Sequence, residues 1–253
     1  MVINMLTDIL GGSVRDYHGF RLTDFEFEGR HALVAEPEVS RKDRRFIWRA
    51  EFPGAFDTVD AEMLRRGYYL VYVQASDMYG CPEAVGIMKC FFDFLTEKLD
   101  FYKKTVLFGF SRGGLYSVNF ALAYPEHTEV LYLDAPVLDI KSWPGGLGVG
   151  RGASREWEEC LGMYGLDRST VLSYKGNPAD RLGELASLHI PVALVAGDSD
   201  ADVPFAENGA LLRDVYEAAG EKLLCIVKEG CAHHPHSLTD PAPVADFLES
   251  CAV

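Results

Sequence analysis

The stretch Thr105-Val-Leu-Phe-Gly-Phe-Ser-Arg-Gly-Gly-Leu-Tyr-Ser-Val-Asn-Phe-Ala-Leu-Ala-Tyr-Pro-Glu126 decides how the rest of the chain is read. Its first residues, Thr105 to Phe108, are apolar and β-branched, as in a buried strand. A helical pattern follows Gly113-Gly114. Between the two stands Gly109-Phe110-Ser111-Arg112-Gly113, a G-x-S-x-G turn with one serine between glycines. Small flanking residues let a helix pass close to the strand it follows, and they hold the serine in a sharp turn at the helix N-terminus. Backbone N–H groups there favour developing negative charge. A glycine-rich turn can also serve packing alone, so the reading depends on partners elsewhere in the chain.

A serine hydroxyl needs a base to become a nucleophile, and the base needs an acid to orient it. Of the seven histidines, His18, His31, His127 and His189 lie in the N-terminal region or at strand approaches, where a structural role is the default. The other three, His233, His234 and His236, sit together in GCAHHPHSL after the last apolar run. A carboxylate group, Asp198, Asp200 and Asp202 in GDSDADVP, follows the run before it. The chain order is therefore Ser, Asp, His, each placed after a strand, at the edge where open α/β sheets gather their functional groups. A metal centre on HHPH is the rival reading; the crowded spacing suits a tetrahedral site poorly, and no metal is expected.

The surrounding pattern agrees. Eight segments read as strands: 24–29, 30–37, 44–50, 67–75, 104–110, 128–137, 191–198 and 222–230. Helical patterns fill most of the later gaps, which implies a mostly parallel eight-stranded sheet with helices on both faces after an antiparallel start. Residues 1–253 read as one domain. The alternation breaks once, at about 138–190, a glycine-rich segment with short helical patterns that is too long for a connection and reads as a small cap between the sixth and seventh strands.

Composition bounds the function. Hydrophobic residues at 48% and charged residues at 25% are ordinary for a globular domain. The net charge of -14, from 24 basic and 38 acidic residues, argues against nucleic acid, whose binding rests on clustered Lys and Arg. RKDRR at 41–45 is short and reads as a solvated strand approach. No apolar run is long enough to span a membrane, and the opening residues lack the pattern of a leader. Six cysteines without CxxC spacing read as reduced thiols, so a cytoplasmic location is the expectation.

Taken together, GFSRGG, the G-x-x-D-x-x-V-P segment (Gly197, Asp200, Val203, Pro204) and the histidine after the final strand resemble the α/β-hydrolase superfamily, from about Asp24 to Val253. With DAPVLDIKSWPGG and HHPHSL they are similar to an esterase-like subgroup described simply as hydrolases. The resemblance implies Ser111 as nucleophile, Asp200 as acid and His233 as base, without a cofactor. Asp134 is the alternative acid, and His234 or His236 the alternative base. Many relatives carry His-Gly after the third strand, where Arg49-Ala50 stand here. The backbone N–H groups of Arg112 and Glu51 are then the expected oxyanion donors, and Trp48, Arg49, Glu51 and Phe52 line the mouth. Arg112 either binds substrate or pairs internally with an acid such as Asp134 or Asp139. Trp143 and Trp157 are expected near the substrate or as cap anchors, and His234 near the substrate. The expected activity is hydrolysis of a small-molecule or oligosaccharide ester, an acetyl or aroyl ester of a plant-derived saccharide. A peptidase or amidase with the same triad, or a non-hydrolytic binding protein, are the alternatives.

Overall fold

In this computed structural model the chain is described over residues 5–252. Residues 1–4, where the stretch read for a leader begins, and residue 253 lie outside the described residues. Among the described residues no helix is long and apolar enough to cross a membrane.

Among the described residues nine strands form one sheet: β1 Ser13–Tyr17, β2 Phe20–Phe27, β3 Arg30–Glu36, β4 Phe46–Arg49, β5 Tyr69–Val73, β6 Thr105–Phe110, β7 Thr128–Asp134, β8 Val192–Gly197 and β9 Leu223–Lys228. Their order is β1-β2-β3-β5-β4-β6-β7-β8-β9. The first three pairings are antiparallel and the other five parallel. The eight expected strands are all present; the ninth is β1. Its sequence SVRDY has no apolar run and only Tyr17 is buried, so pairing with β2 defines it rather than any core pattern.

Among the described residues eight helices accompany the sheet: α1 Met5–Leu10, α2 Thr58–Arg65, α3 Pro82–Lys98, α4 Gly113–Ala123, α5 Ser154–Tyr164, α6 Leu182–Ser187, α7 Gly209–Ala219 and α8 Ala242–Cys251. Strand side chains alternate between the two faces, and the core divides accordingly. Phe46 and Trp48 of β4 join Phe91, Phe92 and Phe120 beneath α3 and α4, on the face that α5, α6 and α7 also cover. Ile47, between them, joins Val59 and Met63 of α2 and Val244 and Leu248 of α8 on the other face. The middle strand β6 is buried along its whole length, as a strand covered on both faces must be.

The segment between β7 and β8 holds α5, α6 and two short 3₁₀ turns. Trp157, Cys160, Leu161, Val171 and Leu185 from it enter the same core as α3 and α4. Polar bonds pin it further: Tyr79 Oη donates to Glu159 Oε2 (2.9 Å) and Tyr164 Oη to the Tyr79 carbonyl (2.8 Å). The cap is thus docked on the helical layer beside the C-terminal edge of the sheet.

Candidate active site

The turn after β6 is held from both sides. Ser111 adopts φ of 50°, in the left-handed region where a residue with a Cβ is strained. Its N–H donates to the Asp134 carbonyl (2.9 Å), and its own carbonyl accepts from Val137 N–H (2.9 Å) and Gly114 N–H (3.0 Å). The strain is therefore compensated by bonds to the loop after β7, and the Ser111 hydroxyl projects from the sheet edge ahead of α4.

Two later loops meet it there. Asp200 follows β8 and His233 follows β9. Gly197 makes their meeting possible: a Cβ at this position would stand 2.2 Å from the Cys231 carbonyl oxygen, so only glycine lets the histidine loop cross so close. Ser199 N–H then donates to that carbonyl (3.0 Å). In the result, His233 Nε2 lies 2.9 Å from Ser111 Oγ and His233 Nδ1 lies 2.6 Å from Asp200 Oδ2. The other Asp200 oxygen accepts from the N–H groups of Asp202 (2.9 Å) and Val203 (2.8 Å). Burial opposes ionisation of Asp200, but the His233 hydrogen bond and these backbone donors outweigh it and hold the carboxyl below its ordinary value. Among the three aspartates of GDSDAD, Asp200 is the one that reaches the histidine.

A cavity of about 190 Å³ opens beside Ser111 and His233. Phe52, Phe56 and Phe110 form its walls, with His234 and His236. His234 is exposed and stacks on Phe56 (centroids 5.4 Å apart, planes 14° apart), so this expected substrate residue does stand at the site. Desolvation, followed by the neighbouring His236 and His233, pushes its imidazole below the usual histidine value. A larger cavity of about 370 Å³ lies between α3, α4 and the cap, walled by Tyr124, Tyr164 and Tyr174, and no triad residue borders it.

Two expected residues are elsewhere. Trp48 is fully buried under α3 and α4, packed on Phe91 (5.5 Å) and Phe120 (5.6 Å). Arg49 points to the opposite face, also fully buried, where it pairs with Asp60 (2.7 and 2.9 Å). Both belong to strand β4, and the loop that borders the site starts only after them. Arg49 still acts on the site from behind: its Nη2 donates to the carbonyls of Ala55 (2.7 Å) and Phe56 (3.2 Å), and its guanidinium lies 3.8 Å from the Phe110 ring centroid. Trp143 is half-buried near Tyr79 and does not border the small cavity.

Glu51 is buried, and its N–H lies at the first turn of α4, 3.7 Å from where a Gly113 Cβ would be. Burial raises the Glu51 carboxyl pKa against the opposing pull of Arg112. The Arg112 side chain pairs internally, and its acids are Glu51 and Asp77 rather than Asp134 or Asp139. It donates to Glu51 Oε2 (3.1 and 3.3 Å) and to Asp77 Oδ1 (2.7 Å). Asp134 instead serves His236, whose Nδ1 lies 2.7 Å from Asp134 Oδ1. Asp139 accepts from the Lys141 N–H (2.8 Å). The pairing of His236 with Asp134, and Phe56 and Phe110 as cavity walls, were not legible as site features in the sequence, since each depends on segments far apart in the chain meeting at the sheet edge.

No known family model and no curated protein sequence matches the chain. Solved structures do. A puromycin hydrolase superposes with a TM-score of 0.66 at 16% identity, covering 91% of this chain and 38% of its own. An S-formylglutathione hydrolase from Agrobacterium tumefaciens gives 0.61 at 13% identity, covering 94% of this chain and 95% of its own. The enzyme MGS-MChE2, an α/β hydrolase from the metagenome of lagoon sediments at Mar Chica, Morocco, gives 0.55 at 13% identity, covering 94% and 96%. The fold is the α/β-hydrolase fold. Within it the chain spans well under half the length of the puromycin hydrolase, whereas the two other α/β-hydrolase-fold proteins match it nearly end to end.

Proposed function

We propose that this chain is a serine hydrolase that cleaves carboxylic esters of small acids. The observation that carries the reading is the continuous path from Ser111 Oγ through His233 to Asp200, at 2.9 and 2.6 Å, beside a small aromatic cavity. Ser111 Oγ attacks the acyl carbon while its proton passes to His233 Nε2. Asp200 holds the ring and stabilises the imidazolium. The N–H groups of Arg112 and Glu51, at the start of α4, donate to the oxyanion. Collapse expels the alcohol, which takes the proton from His233. Water, deprotonated by the same imidazole, then attacks the acyl-enzyme, releases the acid and restores Ser111.

The cavity volume and its three phenyl walls suit an acetyl or a single aroyl group. The expectation of a plant-derived saccharide rests on cap aromatics and on the family resemblance. Trp157 is buried in the core and Trp143 stands away from the cavity, so the reading commits to the acyl side. The likeness in fold to an S-formylglutathione hydrolase supports the ester reading.

The test is turnover of p-nitrophenyl acetate, butyrate and benzoate, and of aminoacyl p-nitroanilides, by wild type and Ser111→Ala. Ester turnover that falls by about 10³-fold or more in the variant is expected. Anilide turnover exceeding ester turnover would move the assignment to a peptidase. Equal activity of variant and wild type would remove Ser111 from the mechanism.

A further inference from the structure

We propose that His233, His234 and His236 form a site for one transition-metal dication of the zinc class, and that its occupancy switches the triad off. One ring nitrogen of each lies within 4.8 Å of the other two. The rings meet edge to face, with centroids 4.8 to 4.9 Å apart. The i, i+1, i+3 spacing is crowded on paper, but the irregular loop after β9 brings one ring nitrogen of each histidine within 4.8 Å of the other two.

What lies behind the rings argues for a metal rather than for simple stacking. His233 and His236 each have Nδ1 bound to a buried carboxylate, Asp200 (2.6 Å) and Asp134 (2.7 Å). Metal-ligating histidines are oriented in this way: the carboxylate fixes the proton on one nitrogen and leaves the other nitrogen's lone pair directed outward. Two such pairs side by side supply two pre-aimed ligands. His234 is the exposed third, and its ring can turn without disturbing the core. Zn–N bonds of about 2.0–2.1 Å at tetrahedral angles set nitrogens about 3.4 Å apart, so the widest pair must close by roughly 1.4 Å. Three imidazoles suit zinc, nickel or copper, and not calcium or magnesium.

The consequence follows from one atom. His233 Nε2 lies 2.9 Å from Ser111 Oγ. A lone pair given to the metal is unavailable to take the serine proton, so metal and ester turnover exclude each other. This switching clause rests on the function proposed above, whereas the metal site itself does not.

Two readouts keep them apart. Untagged Ser111→Ala protein, titrated with cobalt(II), is expected to develop visible ligand-field bands that saturate at one equivalent. Adding His234→Ala should weaken binding by about tenfold or more. In the wild type, zinc should inhibit p-nitrophenyl acetate hydrolysis reversibly, with recovery on EDTA. His234→Ala should shift the inhibition constant by a similar factor, each protein being compared with its own metal-free rate. Absent bands, or bands unchanged in His234→Ala, overturn the site. Bands without inhibition overturn the switch and leave the site. If the wild type turns over no ester, the function falls, and the cobalt titration still decides the metal.

Discussion

Asp134 and His236 form a second buried carboxylate–imidazole pair directly beside the triad, with Nδ1 and Oδ1 2.7 Å apart. The other Asp134 oxygen accepts from Ser237 N–H (2.7 Å) and from Tyr132 Oη (3.2 Å). One carboxylate at the end of β7 thus anchors the loop that carries His233. Asp134→Ala leaves a buried imidazole and an N–H without their acceptor, and should cost about 3–5 kcal/mol of stability in urea denaturation. In the folded fraction kcat should fall more than KM rises, because the loop places the base rather than the substrate. A variant with wild-type kcat would show that His233 is positioned without this anchor.

The glycines after Ser111 are not equivalent. A Cβ on Gly113, the last residue of G-x-S-x-G, would meet Glu51 Cβ at 3.4 Å, at the edge of ordinary contact. A Cβ on Gly114 would stand 2.7 Å from Pro136 Cβ and 2.8 Å from the Val137 carbonyl oxygen, where backbone must move. Gly114→Ala is expected to lose about 1–3 kcal/mol by overpacking, with Gly113→Ala losing clearly less. Thermal unfolding of the two variants decides the order. A greater loss at Gly113 would contradict the packing described here.

The meeting of Ser111, His233 and Asp200 was legible because each follows a strand and the chain order matches the hydrogen-bonded arrangement: Ser111 after β6, Asp200 after β8, His233 after β9. The strands themselves were legible wherever burial imposes a continuous or alternating apolar pattern, and β1 was not, because an exposed edge strand needs no such pattern. Trp48 and Arg49 were misplaced for a related reason. A position counted along the chain does not say where β4 ends, and only three residues separate Arg49 in the core from Phe52 at the cavity. The partners of Arg112 were hidden as well, since Glu51 and Asp77 come from two separate loops.

Arg49 and Asp60 bind each other through two hydrogen bonds, wholly out of water. Removing one partner strands a buried charge. Arg49→Ala should therefore cost about 3–5 kcal/mol, while Arg49→Met with Asp60→Leu should recover most of that stability. Activity should not return in step, because the carbonyls of Ala55 and Phe56 lose their donor and the Phe52–Phe56 wall loosens. The expected signature in the double variant is near-native denaturation with a raised KM for p-nitrophenyl benzoate. Recovery of both together would mean that the wall holds itself.

Asp200 ties the triad to pH. Its carboxyl is held below the ordinary value in the folded protein, so the stability it contributes is fully present above the unfolded value of about 3.9 and is lost as pH falls through the folded one. Asp200→Asn removes this dependence. The stability difference between wild type and variant in urea should be constant from neutral pH to about pH 5 and shrink toward pH 3. Catalysis should respond at every pH. The new amide can offer its N–H₂ to His233 Nδ1, which drives the ring proton to Nε2, where it faces Ser111 Oγ as a donor and can no longer accept. A loss of about 10⁴-fold in kcat at pH 7 is expected from that wrong tautomer. If the variant kept most of its kcat while losing the pH-dependent stability, Asp200 would be a structural partner of His233 and the acid would have to be sought elsewhere.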